Sequence, residues 1–158
     1  MKMKTIRTLF ALCLILIVSC VAVVQRDKSV LLSESEAKRL THQCSRPGPS
    51  DFSETWKPTA AEIKAMESKF SDLKELKAEG GQVENPEHFY MQYIGIVIKG
   101  KKSIYINAFA DSEPPKNWKE KAVIVCDGGE DFWGVLYDVE TGKFSELAFN
   151  GVVRKRAT

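Results

Sequence analysis

Two hydrophobic periods divide the chain. Between Thr59 and Gly81 the apolar residues Ile63, Met66, Phe70, Leu73 and Leu76 recur three or four positions apart, with lysines and carboxylates between them. That spacing gathers them on one stripe of an α-helix of about twenty residues. Thr59 followed by Glu62 predicts a capping box at its start, and Gly80-Gly81 predicts a left-handed stop. From Phe89 the period falls to that of strands. FYMQYIGIVI (89–98) and SIYINAFA (103–110) predict two strands around a turn at Lys99–Lys102, AVIVC (122–126) a third, FWGVLYDV (132–139) a fourth and FSELAF (144–149) a fifth. DGGED (127–131) and ETGK (140–143) read as turns, and Asn150-Gly151 ends the pairing. Pro114 and Pro115 keep the polar connection 111–121 out of a central strand. Consecutive short strands with short turns favour antiparallel neighbours. The expected fold class is α+β, with one long helix packed on a roughly five-stranded antiparallel meander.

The layout resembles that of cystatin-like rolls, and only in layout. The cystatin inhibitory loop does not appear, because MQYIGI places its glycine three residues after the glutamine where that family's motif places it four after. Ahead of the helix, residues 25–50 read as a tether holding a short helix, for which Ser33 with Glu36 offers a capping-box pattern before Ala37 and Leu40. CSRPGPSD (44–51) interrupts regular structure and sets the start of the compact domain near Asp51.

The chain has 158 residues, 44% apolar and 28% charged, the size and composition of one globular domain. Its first residues change that picture. Lys2, Lys4 and Arg7 precede an apolar stretch from Leu9 to Val18, the arrangement of an export signal. The stretch ends in Ile17-Val18-Ser19-Cys20, which resembles the lipobox of bacterial lipoproteins. The resemblance implies cleavage before Cys20 and a lipid on its sulfur. The absence of aspartate after that cysteine implies the outer membrane. Val21, Ala22, Val23 and Val24 prolong the apolar run, which leaves two alternatives: an uncleaved N-terminal anchor, and cleavage after Ala22. All three deliver the rest of the chain to the periplasmic side of a bacterial envelope. The expected organisation is therefore an export signal at 1–19, a lipid-anchored tether at 20–50, an α+β domain at 51–153 and a basic tail at 154–158.

Loss of residues 1–19 takes the net charge from +2 to −1. The only basic cluster left is Arg154-Lys155-Arg156, so nucleic acid is not an expected partner. Of four cysteines, Cys13 lies in the leader and Cys20 is the lipid site, which leaves Cys44 and Cys126. An even pair in an oxidising compartment predicts a disulfide. The sharper alternatives for Cys126 are a nucleophile paired with His42 or His88, and a zinc site drawn from those histidines and Cys44. The first lacks a placed base and the second lacks ligand spacing. Asp127, Glu130 and Asp131 lack the alternation of a calcium loop. No motif requires a metal or a cofactor.

Alternation puts Ser103, Tyr105, Asn107 and Phe109 on one side of their strand and Trp133, Val135 and Tyr137 on one side of theirs. Tyr93, Tyr105, Asn107, Trp133 and Tyr137, with Trp118 from the long connection, form the candidate ligand-binding surface. Aromatic rings with an amide suit a peptide, glycan or apolar ligand, and the competing reading places the same side chains in the core. The expected function is a non-enzymatic envelope lipoprotein domain that binds a protein or cell-wall ligand, with the membrane as its other partner. The alternatives are an inhibitor of a hydrolase, presenting DGGED or the 111–121 connection, and a Cys/His-dependent periplasmic enzyme.

Overall fold

The structure, a computed structural model, describes residues 27–110 and 114–151. The export signal, Cys13, Cys20, the start of the 111–121 connection and the basic tail lie outside the described residues. Within them the order is β1 (Ser29–Leu31), α1 (Ala37–Thr41), β2 (Glu54–Trp56), α2 (Ala60–Glu67), β3 (Tyr90–Ile98), β4 (Lys101–Phe109), β5 (Phe132–Asp138) and β6 (Lys143–Phe149). Single turns of 3₁₀ helix occur at Glu34–Glu36, Pro86–His88 and Gly129–Asp131, and a longer one at Phe70–Glu75. No helix among the described residues is long and apolar enough to cross a membrane.

β3, β4, β5 and β6 pair in sequence as an antiparallel meander. The β3–β4 turn holds only Lys99 and Gly100, at φ 50° and 78°. Two consecutive left-handed residues give a turn whose twist matches that of the strands it joins. It sets Gln92 opposite Asn107 and Tyr93 opposite Ile106. The outer edge of β3 is shared: β1 runs parallel to Met91–Tyr93, and β2 antiparallel to Gly95–Val97.

The expected fold class is therefore corrected. The sheet has six strands and is mixed, and no long helix covers it. The capping box forms as expected, with the Thr59 N–H donating to Glu62 Oε2 at 2.7 Å and the Glu62 N–H to Thr59 Oγ1 at 3.3 Å. The helix then stops at Glu67. Ser68 donates its hydroxyl to the Ala65 carbonyl and Ser71 to Asp72, and such local hydrogen bonds compete with helix propagation. The chain continues as the tighter 3₁₀ segment, which still delivers the apolar stripe to the core. Met66, Phe70 and Leu73 pack on Met91, Tyr93, Ile104, Ile106, Trp133, Val135 and Tyr137.

The opposite face of the sheet is also covered, and by the expected tether. Leu32, Ala37 and Leu40, together with Ala122, lie on Ile94, Ile96, Tyr105 and Leu136. Residues read from the sequence as tether thus supply β1 and α1 to the packed structure. Segment 122–126, expected as the third strand, does not enter the sheet, because β4 pairs directly with β5 from Ser103–Asp138 to Phe109–Phe132. It crosses the second face instead.

Candidate functional site

The five residues expected to share one binding surface are divided between two faces and buried. Register decides the division. Ile106 lies opposite Tyr93 and Val135, so Tyr93, Trp133 and Tyr137 face α2, whereas Tyr105 and Asn107 face the N-terminal segment. None is more than 4% exposed. Tyr93 donates its hydroxyl to Glu67 at 2.8 Å, Trp133 meets the edge of Phe89, and Tyr137 packs on Phe144. Burial, with the Asp138 charge adding, pushes the Tyr137 hydroxyl above its ordinary pKa. Trp118 is buried in a separate corner against Tyr90 and Phe109.

The chemistry that does converge lies on the second face. Gln92 and Asn107 are cross-strand neighbours, and Asn107 donates to Gln92 Oε1 at 3.0 Å. Both then reach up to the crossing segment. Gln92 accepts the Val123 N–H at 2.8 Å and donates to the carbonyls of Trp118 and Lys121, while Asn107 donates to the Val123 carbonyl at 3.0 Å. Asn150 donates to the Val125 carbonyl at 2.7 Å. Amide side chains carry a donor and an acceptor together, so these three serve Val123 and Val125 as a neighbouring strand would.

Arg46 extends the network. Its guanidinium donates to Asn150 Oδ1 at 2.5 Å, to Asn107 Oδ1, and to the Tyr105 hydroxyl at 3.4 Å. Arg46 is 6% exposed, and among the described residues the acceptors it reaches are all neutral. Space for it comes from Gly134, opposite Asn107 on β5. A Cβ there would strike the Tyr105 hydroxyl and stand 2.9 Å from Arg46 Nε. The strand glycine makes room for the protein's own arginine.

Next to Arg46, Cys44 is bonded to Cys126 across 82 residues of chain, with their Cα atoms 5.3 Å apart. The predicted disulfide is present, and both half-cystines are exposed. It removes the free thiol that a pairing of Cys126 with His42 or His88 would need, and both histidines are exposed. Ser45 accepts the Asp127 N–H at 2.9 Å and its carbonyl accepts the Gly151 N–H. Asp127, Gly128 and Gly129 follow at φ 69°, 94° and 59°, so an exposed acidic loop is fixed in one shape by its bridge and hydrogen bonds. Among the described residues no three His, Cys, Asp or Glu side chains stand where they could share a metal ion.

Glu36 anchors the other end of the crossing segment. Its carboxylate accepts the Ala122 N–H at 3.0 Å and pairs with Lys121 at 3.2 Å and Arg39 at 3.4 Å. Ser33 makes no cap bond, so the Ser33–Glu36 pattern is not a capping box. The Ala122 N–H first, then Lys121 and Arg39, hold the Glu36 carboxyl below the usual 4.5 against the effect of burial. A lowered folded pKa contributes stability that is full above the unfolded value and is lost as pH falls through the folded one. Wild type should therefore lose more stability than Glu36→Gln as pH drops below about 4.5. Urea unfolding of the two proteins across that range measures the difference.

Sequence reasoning missed Arg46, Gln92, Asn150 and Glu36. The available signal was a lone amide in each of two otherwise apolar strand centres, Gln92 and Asn107. Comparison with protein-family models, curated proteins and solved structures gave no match.

Proposed function

We propose that this chain is a non-catalytic lipoprotein domain of the bacterial envelope, held at the periplasmic side of the membrane through Cys20, which binds a partner protein with its disulfide-braced end. The observation that carries the reading is the Cys44–Cys126 bridge, since such bonds persist in exported proteins and not in a reducing cytosol. The bridge joins the Cys44–Ser53 loop to the acidic loop Asp127–Asp131, whose carboxylates are exposed. A loop already fixed in shape loses little entropy when a partner seats on it. The same observation favours inhibition of an envelope hydrolase as the second reading, with Asp127–Asp131 presented to the enzyme.

The test has two parts. Intact mass of protein recovered from host membranes should report a chain cut before Cys20, lipid-modified and without free thiols. Cross-linking in living cells should then join one envelope protein to the wild type, and the yield should fall about tenfold or more in the Glu130→Ala/Asp131→Ala double variant. A reduced cytosolic protein, or cross-links unaffected by the double variant, would overturn the reading. Loss of a hydrolase activity on adding the protein would favour the inhibitor.

A further inference from the structure

A cavity of about 670 Å³ is formed within one stretch of chain, from Lys38 in α1 to Ser53 just before β2. Gly48 lets that stretch fold back on α1, since a Cβ there would strike the Thr41 carbonyl. Lys38, His42, Gln43, Arg46, Ser50 and Phe52 stand in its wall, and among the described residues no carboxylate does. Lys38 brings an exposed ammonium and Arg46 a guanidinium whose acceptors are all neutral. A buried cation without a counter-ion leaves its desolvation uncompensated.

The backbone adds donors of the same kind. The N–H groups of Cys44, Ser45, Arg46, Gly48 and Ser50 meet no acceptor among the described residues. Successive free N–H groups in a turn attract anions. The carbonyls at the end of α1, which would repel one, are already engaged: Ala37 by the Thr41 hydroxyl, Lys38 by the His42 N–H and Leu40 by Gln43. Gln43 supplies the one feature of opposite sense. It is 7% exposed and spends its Nε2 hydrogens on the carbonyls of Leu40 and Val123, at 3.0 and 3.4 Å, while its Oε1 has no donor among the described residues. That oxygen is not sealed in, because Trp133 Nε1 is the only sealed, unpartnered side-chain polar atom among the described residues. It opens to the cavity that Gln43 lines.

A ligand for this wall needs a negative charge and, beside it, a hydrogen-bond donor. The free end of a peptide has both, a carboxylate and, one carbon away, the amide N–H of the same residue. A phosphate brings acceptors alone. We propose that the cavity binds the carboxylate end of a peptide, with Lys38, Arg46 and the free N–H groups of the loop compensating the carboxylate and Gln43 Oε1 accepting the last amide N–H. Phe52 and Pro47 give the last side chain an apolar wall. The volume suits two or three residues of a small ligand. The site is opposite in charge to the acidic loop Asp127–Asp131, and it stands whether or not that loop engages a partner.

The test is titration of the full chain in detergent, its disulfide intact, with a pool of N-acetyl tripeptides ending in Ala, Val or Leu, followed by the amide shifts in nitrogen–proton NMR spectra. The same pool capped as C-terminal amides and inorganic phosphate serve as the comparison ligands. The expected result is a saturable shift centred on the amides of 42–50, with the capped pool and phosphate each binding about tenfold more weakly or worse. Ser50→Asp sets a carboxylate in the wall and Lys38→Glu reverses a charge there, and each should weaken the peptides by about tenfold. Both positions are exposed, so the remaining amide spectrum should match wild type. Glu130→Ala/Asp131→Ala should bind the peptides as wild type does, so that failure of the acidic loop as an interface and failure of this cavity are separate results. No shift at millimolar peptide, shifts centred outside 38–53, equal binding of the capped pool or of phosphate, or indifference to both cavity variants would overturn the proposal.

Discussion

Removing the Cys44–Cys126 bridge, by reduction or by the paired change Cys44→Ala/Cys126→Ala, is expected to destabilise the protein by about 4–5 kcal/mol at most, the chain-entropy value for its loop. That is a large share of the stability of a domain this size. The loss should be uneven along the chain. Segment 44–53 and the acidic loop owe their positions to the bridge, Ser45 and Asn150, whereas β3–β5 are held by a full ladder of backbone bonds. Urea midpoints with and without reductant measure the global term. Hydrogen exchange should show the amides of Val123 and Asp127 opening first. Equal stability in both redox states would mean that the polar layer holds these loops without the covalent link.

The second large effect is expected at Arg46. Arg46→Met strands the oxygens of Asn107, Asn150 and Tyr105 in a region where each is nearly inaccessible to water. A buried acceptor left without a donor costs about 1–3 kcal/mol, and removal of a buried cation offsets part of the total. A net loss of about 2–4 kcal/mol follows. Arg46→Lys should recover little of it, because one ammonium cannot reach three acceptors in the geometry of the guanidinium fork. Gly134→Ala approaches the same cluster from beneath, and overpacking there should cost about 1–3 kcal/mol. Because these changes share partners, the double variant Arg46→Met/Gly134→Ala should cost less than the sum. Denaturation of the four proteins closes the cycle.

The sequence carries some of this plainly. The capping box at Thr59, the apolar stripe from Ile63 to Leu76, four strands of the meander and the cysteine pairing all follow from local pattern and arithmetic. What it hides is register. Reading the β3–β4 turn as Lys99–Lys102, rather than as Lys99-Gly100 alone, leaves the pairing of Gln92 with Asn107 unset. The side on which each aromatic residue falls is then open as well. The helix is misjudged at Ser68, where periodicity continues although the hydrogen-bond pattern changes, since an apolar stripe looks much the same in α and 3₁₀ form. The segment 29–50 escapes for another reason. Its short helix is expected and present at Ala37–Thr41, but the three-residue strand is too short for a period to register, and the segment's place is fixed by contacts with β3 and the crossing segment.

β1, from Ser29 to Leu31, is locked to β3, so a chain trimmed to start at Asp51 would lose a strand of the sheet and, with α1, the cover over Ile94, Ile96 and Leu136.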